Sequence, residues 1–249
     1  MLSKKIVKYI QSLSHKKERD EQNCFVAEGP KVITEFLASG NIICKILCAE
    51  QEWISEHGNL LKNISHENIF EIDEIQLQKI SFLKTPNKVI AVFEKRPENK
   101  IPEIHHKLTV LLDDIHDPGN LGTIIRISDW FGIENIICSP DCVDCYNPKV
   151  VQATMGSLAR VNITYNSLTD FIERNAAVPV YAASLTGVPV QEFKNITEGL
   201  ILIGNESKGI NVVLKKMATK KITIPKYGHA ESLNAAIAAG IILSHLRNS

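Results

Sequence analysis

The 249 residues predict an α/β protein in which a C-terminal parallel-sheet domain follows a small N-terminal α/β domain. Three observations carry this reading. From residue 107 onward, short aliphatic runs alternate with helical patterns, as parallel βαβ units require. Three of those runs end in turns rich in Gly, Asn and Pro, at 117–126, 202–210 and 224–234. Between the halves, Glu94-Lys-Arg-Pro-Glu-Asn-Lys-Ile-Pro102 is charged and carries two prolines, the composition of a linker. A boundary at about 95–106 gives domains 1–97 and 107–249.

In the N-terminal domain, 25–27, 42–48, 69–70 and 89–93 read as strands. Val32 to Leu37 reads as a helix, with Pro30 at its first turn. In the C-terminal domain, strands are expected at 108–112, 135–138, 160–164, 179–183, 200–203 and 221–224. Helices fit 120–131, 148–157, 168–174, 210–217 and 233–246.

Composition is that of an ordinary globular protein, with 44% hydrophobic and 22% charged residues. A formal net charge of zero gives no global basic excess for a nucleic acid. Charge is instead local: Lys4, Lys5, Lys8, Lys16, Lys17 and Arg19 crowd the first twenty residues. That cluster fits either a solvated helix face or a surface for RNA phosphates. No apolar run approaches the ~18 residues needed to cross a bilayer, and no secretory signal is visible. A cytoplasmic location is expected.

The three turns carry the chemistry. Asp117-Pro-Gly-Asn-Leu-Gly-Thr-Ile-Ile-Arg126 opens a helix, where Asn120 is a natural N-cap. Arg126 lies six residues on, ~9 Å along the axis, among Leu121, Ile124, Ile125 and Ile127. An arginine there calls for a partner. An ion pair with Asp113 or Asp114 and a catalytic role both account for it. Gly204-Asn-Glu-Ser-Lys-Gly209 lacks the spacing of a triphosphate loop. In Ile224-Pro-Lys-Tyr-Gly-His-Ala-Glu-Ser-Leu-Asn234, Ser232 is a natural N-cap for the Ala-rich helix that follows. Loops at strand ends of such sheets build ligand pockets.

Taken in this order, the three motifs resemble those of the SpoU (TrmH) family of RNA ribose 2'-O-methyltransferases, within the SPOUT superfamily. The likeness extends from about Lys4 to Leu246, and the N-terminal part resembles L30e-like substrate-binding domains. The resemblance implies a trefoil-knotted C-terminal domain, S-adenosylmethionine as methyl donor and a homodimer formed through that domain. It implies structured RNA as substrate, ribosomal RNA ahead of transfer RNA; a non-catalytic RNA-binding member is the contrasting reading. The matching positions imply a catalytic set of Asn120, Arg126, Glu206, Ser232 and Asn234. Cofactor contacts are implied at Ser184, Leu185, Gly204, Asn205, Gly209, Ile224 and Leu233. RNA contacts are expected at Lys16, Lys17, Arg19 and Lys149. Ser207 stands where the family most often has Gly, and Ala235-Ala236 where it more often has Val-Ser. Arginine is protonated at any working pH, so Arg126 suits stabilising a forming alkoxide better than accepting its proton.

Cys138, Cys142 and Cys145 share the spacing of an iron–sulfur motif, a feature of a different enzyme class. Their neighbours follow the SpoU pattern, in which cysteines are incidental. No metal is expected. Cys24, Cys44 and Cys48 fall in or beside apolar runs and read as reduced core thiols.

Overall fold

The computed structural model describes residues 2–97 and 103–248. Residues 98–102 of the expected linker lie outside that range. The chain forms two compact units.

The first unit comprises Met1–Pro97 together with Asp144–Arg160. It begins with α1 (Lys4–Ser12) and α2 (Lys16–Gln22), then β1 (Cys24–Glu28), α3 (Pro30–Ser39), β2 (Cys44–Ala49) and α4 (Gln51–Glu56). β3 (Ile69–Glu71), α5 (Glu74–Ile80) and β4 (Val89–Glu94) follow. The strands form a sheet of order β1-β4-β2-β3, antiparallel except for the β2–β3 pair. Its core gathers Ile10, Leu13, Val26, Cys48, Leu77 and Val92. The four helices other than α3 were not read from the sequence, although two carried a signal. Ile6, Ile10 and Leu13 follow a helical period. Asp73 and Gln76 form a capping box at the start of α5.

The sequence reading kept 107–249 as one block, but the structure places Asp144–Arg160 in the first unit. Aromatic packing shows why. Tyr146 lies 4.8 Å from Phe25, ring centre to ring centre, and Phe25 packs on Phe36 and Phe93. The helix expected at 148–157 ends early, at Thr154. Met155 and Gly156 take left-handed φ of 51° and 96°. A side chain on Gly156 would come within 2.4 Å of Glu35 Cβ, so the chain turns there on glycine.

The second unit comprises Glu98–Val143 and Val161–Ser249. Between its parts the chain supplies α7 (Pro148–Thr154) to the first unit. In the second unit run β5 (Leu108–Asp113), α6 (Pro118–Trp130), β6 (Asn135–Cys138), β7 (Asn162–Tyr165) and α8 (Leu168–Arg174). Then come β8 (Val180–Pro189), β9 (Gly199–Gly204), α9 (Val212–Met217), β10 (Lys220–Thr223) and α10 (Ala235–Asn248). All six strands pair in parallel, in the order β10-β8-β9-β5-β6-β7. β5 and β9 lie side by side at its centre, which accounts for their unbroken apolar runs. Leu111, Ile137, Leu200 and Leu202 pack with Phe171 and Leu214 in one core. Every expected strand is present here. β8 runs well past the expected 183, because its outer half is exposed and so lacks the apolar run that marks a buried strand.

Candidate active site

The loop after β5 forms the first side of the site. Asp113 is buried, and burial pushes its carboxyl above the usual range although Asn211 N–H donates to Oδ2 at 2.7 Å. Pro118 takes the first turn of α6, and Asp117, not Asn120, is its cap: Asp117 Oδ1 accepts from Asn120 N–H at 2.8 Å. Relieved of capping, the Asn120 amide faces elsewhere. Its Nδ2 donates to Glu206 Oε1, and its Oδ1 accepts from Asn234 Nδ2 at 2.7 Å. One side chain therefore joins all three motifs.

β9 ends in the second wall. A side chain on Gly204 would stand 2.4 Å from the backbone nitrogen of Ile210, so the turn closes only on glycine. Asn205 ties the turn together. Its Oδ1 accepts from Ser207 N–H at 2.9 Å and Lys208 N–H at 3.0 Å, while Nδ2 donates to Asp114 O at 2.8 Å.

Residues 224–234 form the third wall. α10 starts at Ala235, and Asn234 caps it: Oδ1 accepts from Ala236 N–H at 2.9 Å and Ile237 N–H at 3.3 Å. Ser232, the expected cap, lies two residues too early for that geometry. Asn234 can both cap and reach Asn120 because an amide accepts through oxygen and donates through nitrogen.

The end of β8, the turn after β9 and residues 224–233 enclose a cavity of about 750 Å³ within the second unit; Asn120 and Asn234 stand outside its lining. Ser184, Leu185, Gly204, Asn205, Gly209, Ile224 and Leu233 all line it, as do Glu206 and Ser232. The volume falls in the range of small-molecule and cofactor sites, ~300–1,000 Å³. Ile203, Ile210, Ile222 and Ile242 add apolar surface. Thr186 and Tyr227 also line it and were not singled out in the sequence. The exposed outer half of β8 hid the first, and Tyr227, 97% exposed, gives no pattern signal.

Residues 107–244 match the family model of the SpoU rRNA methylase family, more than half of the chain. The chain belongs to the SpoU rRNA methylase family. Residues 4–91 match an MRM3-like substrate binding domain. A Bacillus subtilis relative, a 23S rRNA (guanosine(2553)-2'-O)-methyltransferase, is 32% identical over 244 residues, 97% of this chain and 95% of its own. The structure of a putative TrmH-family RNA methyltransferase from Porphyromonas gingivalis superposes with a TM-score of 0.87 at 36% identity, covering 100% of both chains. An AdoMet-bound rRNA methyltransferase from Sinorhizobium meliloti gives 0.86 at 34%, covering 100% of this chain and 96% of that one.

On this SpoU frame Arg126 occupies the exposed side of α6 and does not line the cavity. Among the described residues it forms no ion pair. Asp113 is held by Asn211, and Asp114 by His116 and Lys208. The structural ion pair with Asp113 or Asp114 is therefore not formed.

The basic residues divide. Lys16 and Lys17 on α2 and Lys149 on α7 are exposed, and all three belong to the first unit. Arg19 does not join them, and its burial rules out the expected RNA contact. It is 2% exposed, its Nη2 meets Asp144 Oδ2 at 2.6 Å, and its Nη1 donates to Leu13 O and Ser14 O. With its Nε also on Asp144, four of its five N–H donors are spent, and the buried group is out of a phosphate's reach.

The cysteines divide as well. Cys138 and Cys142 belong to the second unit and Cys145 to the first. The Cys142 thiol accepts from Ile115 N–H at 3.2 Å and donates to Leu112 O at 3.3 Å. Its pKa is lowered to about 7, chiefly by a hydrogen bond from Cys138. Among the described residues no three His, Cys, Asp or Glu side chains are grouped to hold a metal ion.

Proposed function

We propose that this protein transfers a methyl group from S-adenosylmethionine to one ribose 2'-hydroxyl of large-subunit ribosomal RNA, as a cytoplasmic enzyme. The observation that carries this reading is a cavity lined by the second and third motif turns, with Asn120 of the first motif bonded to both Glu206 and Asn234. The cavity fits the cofactor chemically. Backbone groups of the turns suit an adenine edge, and the apolar walls suit the uncharged faces of the ligand. Ser184, Leu185, Gly204, Asn205, Gly209, Ile224 and Leu233 would hold it. Bound there, it supplies an electrophilic methyl group on sulfonium.

The rest of the chemistry falls to the protein. A ribose hydroxyl is a weak nucleophile at neutral pH, so developing negative charge on its oxygen needs a cation. Arg126, which forms no ion pair among the described residues, carries the guanidinium that supplies that charge. Asn120, Asn234 and Ser232 orient the hydroxyl, and Glu206 fixes the Asn120 amide. Water or an RNA phosphate takes the proton. Lys16, Lys17 and Lys149 contact RNA phosphates, which positions the substrate without reading its bases.

The catalytic form is a homodimer through the C-terminal domain. Trp130 on α6 and Ile237 on α10 are 84% and 55% exposed, and these two helices pack on each other. A second copy packed on these helices would cover both side chains. Light scattering of the intact chain at micromolar concentration should give twice the chain mass. The function is tested by mapping ribose methylation in ribosomal RNA from cells with and without the gene. One site should disappear with the gene; an unchanged ribosomal map with a lost transfer-RNA site would replace the substrate assigned above.

A further inference from the structure

Asp114 is the point on which two loops close, and it belongs to none of the roles above. Its backbone is left-handed, φ 60°, a conformation that costs a non-glycine residue of order 1–3 kcal/mol unless its surroundings hold it. Here they do. Its N–H donates to Ser139 Oγ at 3.0 Å, from the turn after β6. Its carbonyl accepts from Asn205 Nδ2 at 2.8 Å. Its carboxylate meets Lys208 Nζ at 3.3 Å through Oδ2 and His116 Nε2 at 2.5 Å through Oδ1. The backbone bonds run to one loop behind and one in front, and the carboxylate adds a second tie to the front loop.

The residues it holds are significant. Asn205 and Lys208 flank Glu206 and Ser207, and both line the cavity. Glu206 in turn receives the Asn120 amide. The placement of the cofactor turn against the β5 loop therefore passes through Asp114. We infer that Asp114 is a positioning residue: its carboxylate, pinned by His116 and Lys208, sets the 204–209 turn in the form that binds S-adenosylmethionine. This rests on the cofactor reading given under Proposed function.

The side chain and the backbone can be tested apart. Asp114→Gly keeps the left-handed backbone and both backbone bonds, and removes only the carboxylate. Asp114→Asn keeps one acceptor and tolerates the same backbone. With the intact chain, calorimetry against S-adenosylmethionine should show affinity weakened about tenfold for Asp114→Gly, the scale of one charge-assisted contact. Asp114→Asn should weaken it roughly threefold, since its amide oxygen can still accept one bond. The rate at saturating cofactor should stay within about threefold, and melting temperatures should be close to the parent's. If Asp114→Gly binds the cofactor as tightly as the parent, or loses only melting temperature, the inference is wrong while the cofactor reading stands. If the parent binds no S-adenosylmethionine, the cofactor reading falls first and takes this inference with it.

Discussion

The two units handle polar residues in opposite ways. In the first unit they are consumed in building the fold. Arg19 is buried against Asp144, and Glu28, 6% exposed, accepts from Ser81 Oγ and Phe82 N–H. In the second unit they are held at strand ends, where Asn120, Glu206 and Asn234 bond to one another beside an open cavity. Sheet architecture accounts for the difference. The parallel sheet directs its strand ends to one edge, and the loops there are free to converge. The mixed sheet of the first unit has no such common edge. Polar groups therefore serve stability in one unit, where Arg19 and Glu28 are buried, and chemistry in the other, where Asn120 and Glu206 are half-buried and Asn234 is exposed.

The sharpest way to break that contrast is at Arg19. Removing one member of a buried pair leaves the other charge stranded, so Arg19→Ala should lower stability by about 3–5 kcal/mol. Denaturant unfolding measures it. Pairing Arg19→Met with Asp144→Leu should restore much of the loss, because the burial cost of both charges disappears. A loss under 1 kcal/mol in the single variant would move Arg19 back among the candidate RNA contacts.

The corresponding cut in the second unit is Arg126→Ala. Methyl transfer should fall on the order of 10²-fold, with little change in stability or cofactor affinity. Arg126→Lys should recover part of the rate, since it keeps the charge but not the planar geometry. Full activity of Arg126→Ala on the RNA substrate would remove it from the site.

Glu28 sharpens the comparison through pH. Burial raises its carboxyl pKa in the folded protein, outweighing the bonds from Ser81 and Phe82. The folded state therefore prefers the protonated form. Its contribution is fully present below the unfolded value of about 4.3 and is lost as pH rises through the higher folded value. Urea midpoints of the parent relative to Glu28→Gln should decline across that window. A flat difference would show that Glu28 is ionised in the fold without penalty.

The smallest effect belongs to the exposed lysines. Lys16→Ala and Lys17→Ala should each change stability by less than about 0.5 kcal/mol. Each should weaken RNA binding and reduce the salt slope by about one, which a filter-binding titration against salt would read. An unchanged slope would make α2 a merely solvated face.

The second unit was legible in the sequence almost strand by strand. β5, β6 and β9 fall within a residue of their expected ends, because a strand buried on both faces reads as an unbroken apolar run. The cavity was legible through its turns, since Gly and Asn at strand ends mark turns and the resemblance to the SpoU motifs implied cofactor contacts at Gly204 and Asn205. What stayed hidden depends on distant partners. Nothing near Arg19 announces Asp144, and nothing near Asn120 shows that Asp117 would take the cap and leave its amide free. The membership of 144–160 was invisible for the same reason: aromatic contacts with Phe25 decide it, and no local pattern records them.

That membership has a consequence in time. A ribosome adds about 5–20 residues per second. Arg19 and Asp144 are 125 positions apart. Roughly 6–25 s therefore pass between the synthesis of the arginine and that of its counter-charge. During that interval the first hundred residues have no Tyr146 to cover Phe25 and no carboxylate for Arg19. The first unit thus cannot be finished from its own first hundred residues, and the nascent chain must keep it soluble until about residue 160 has emerged.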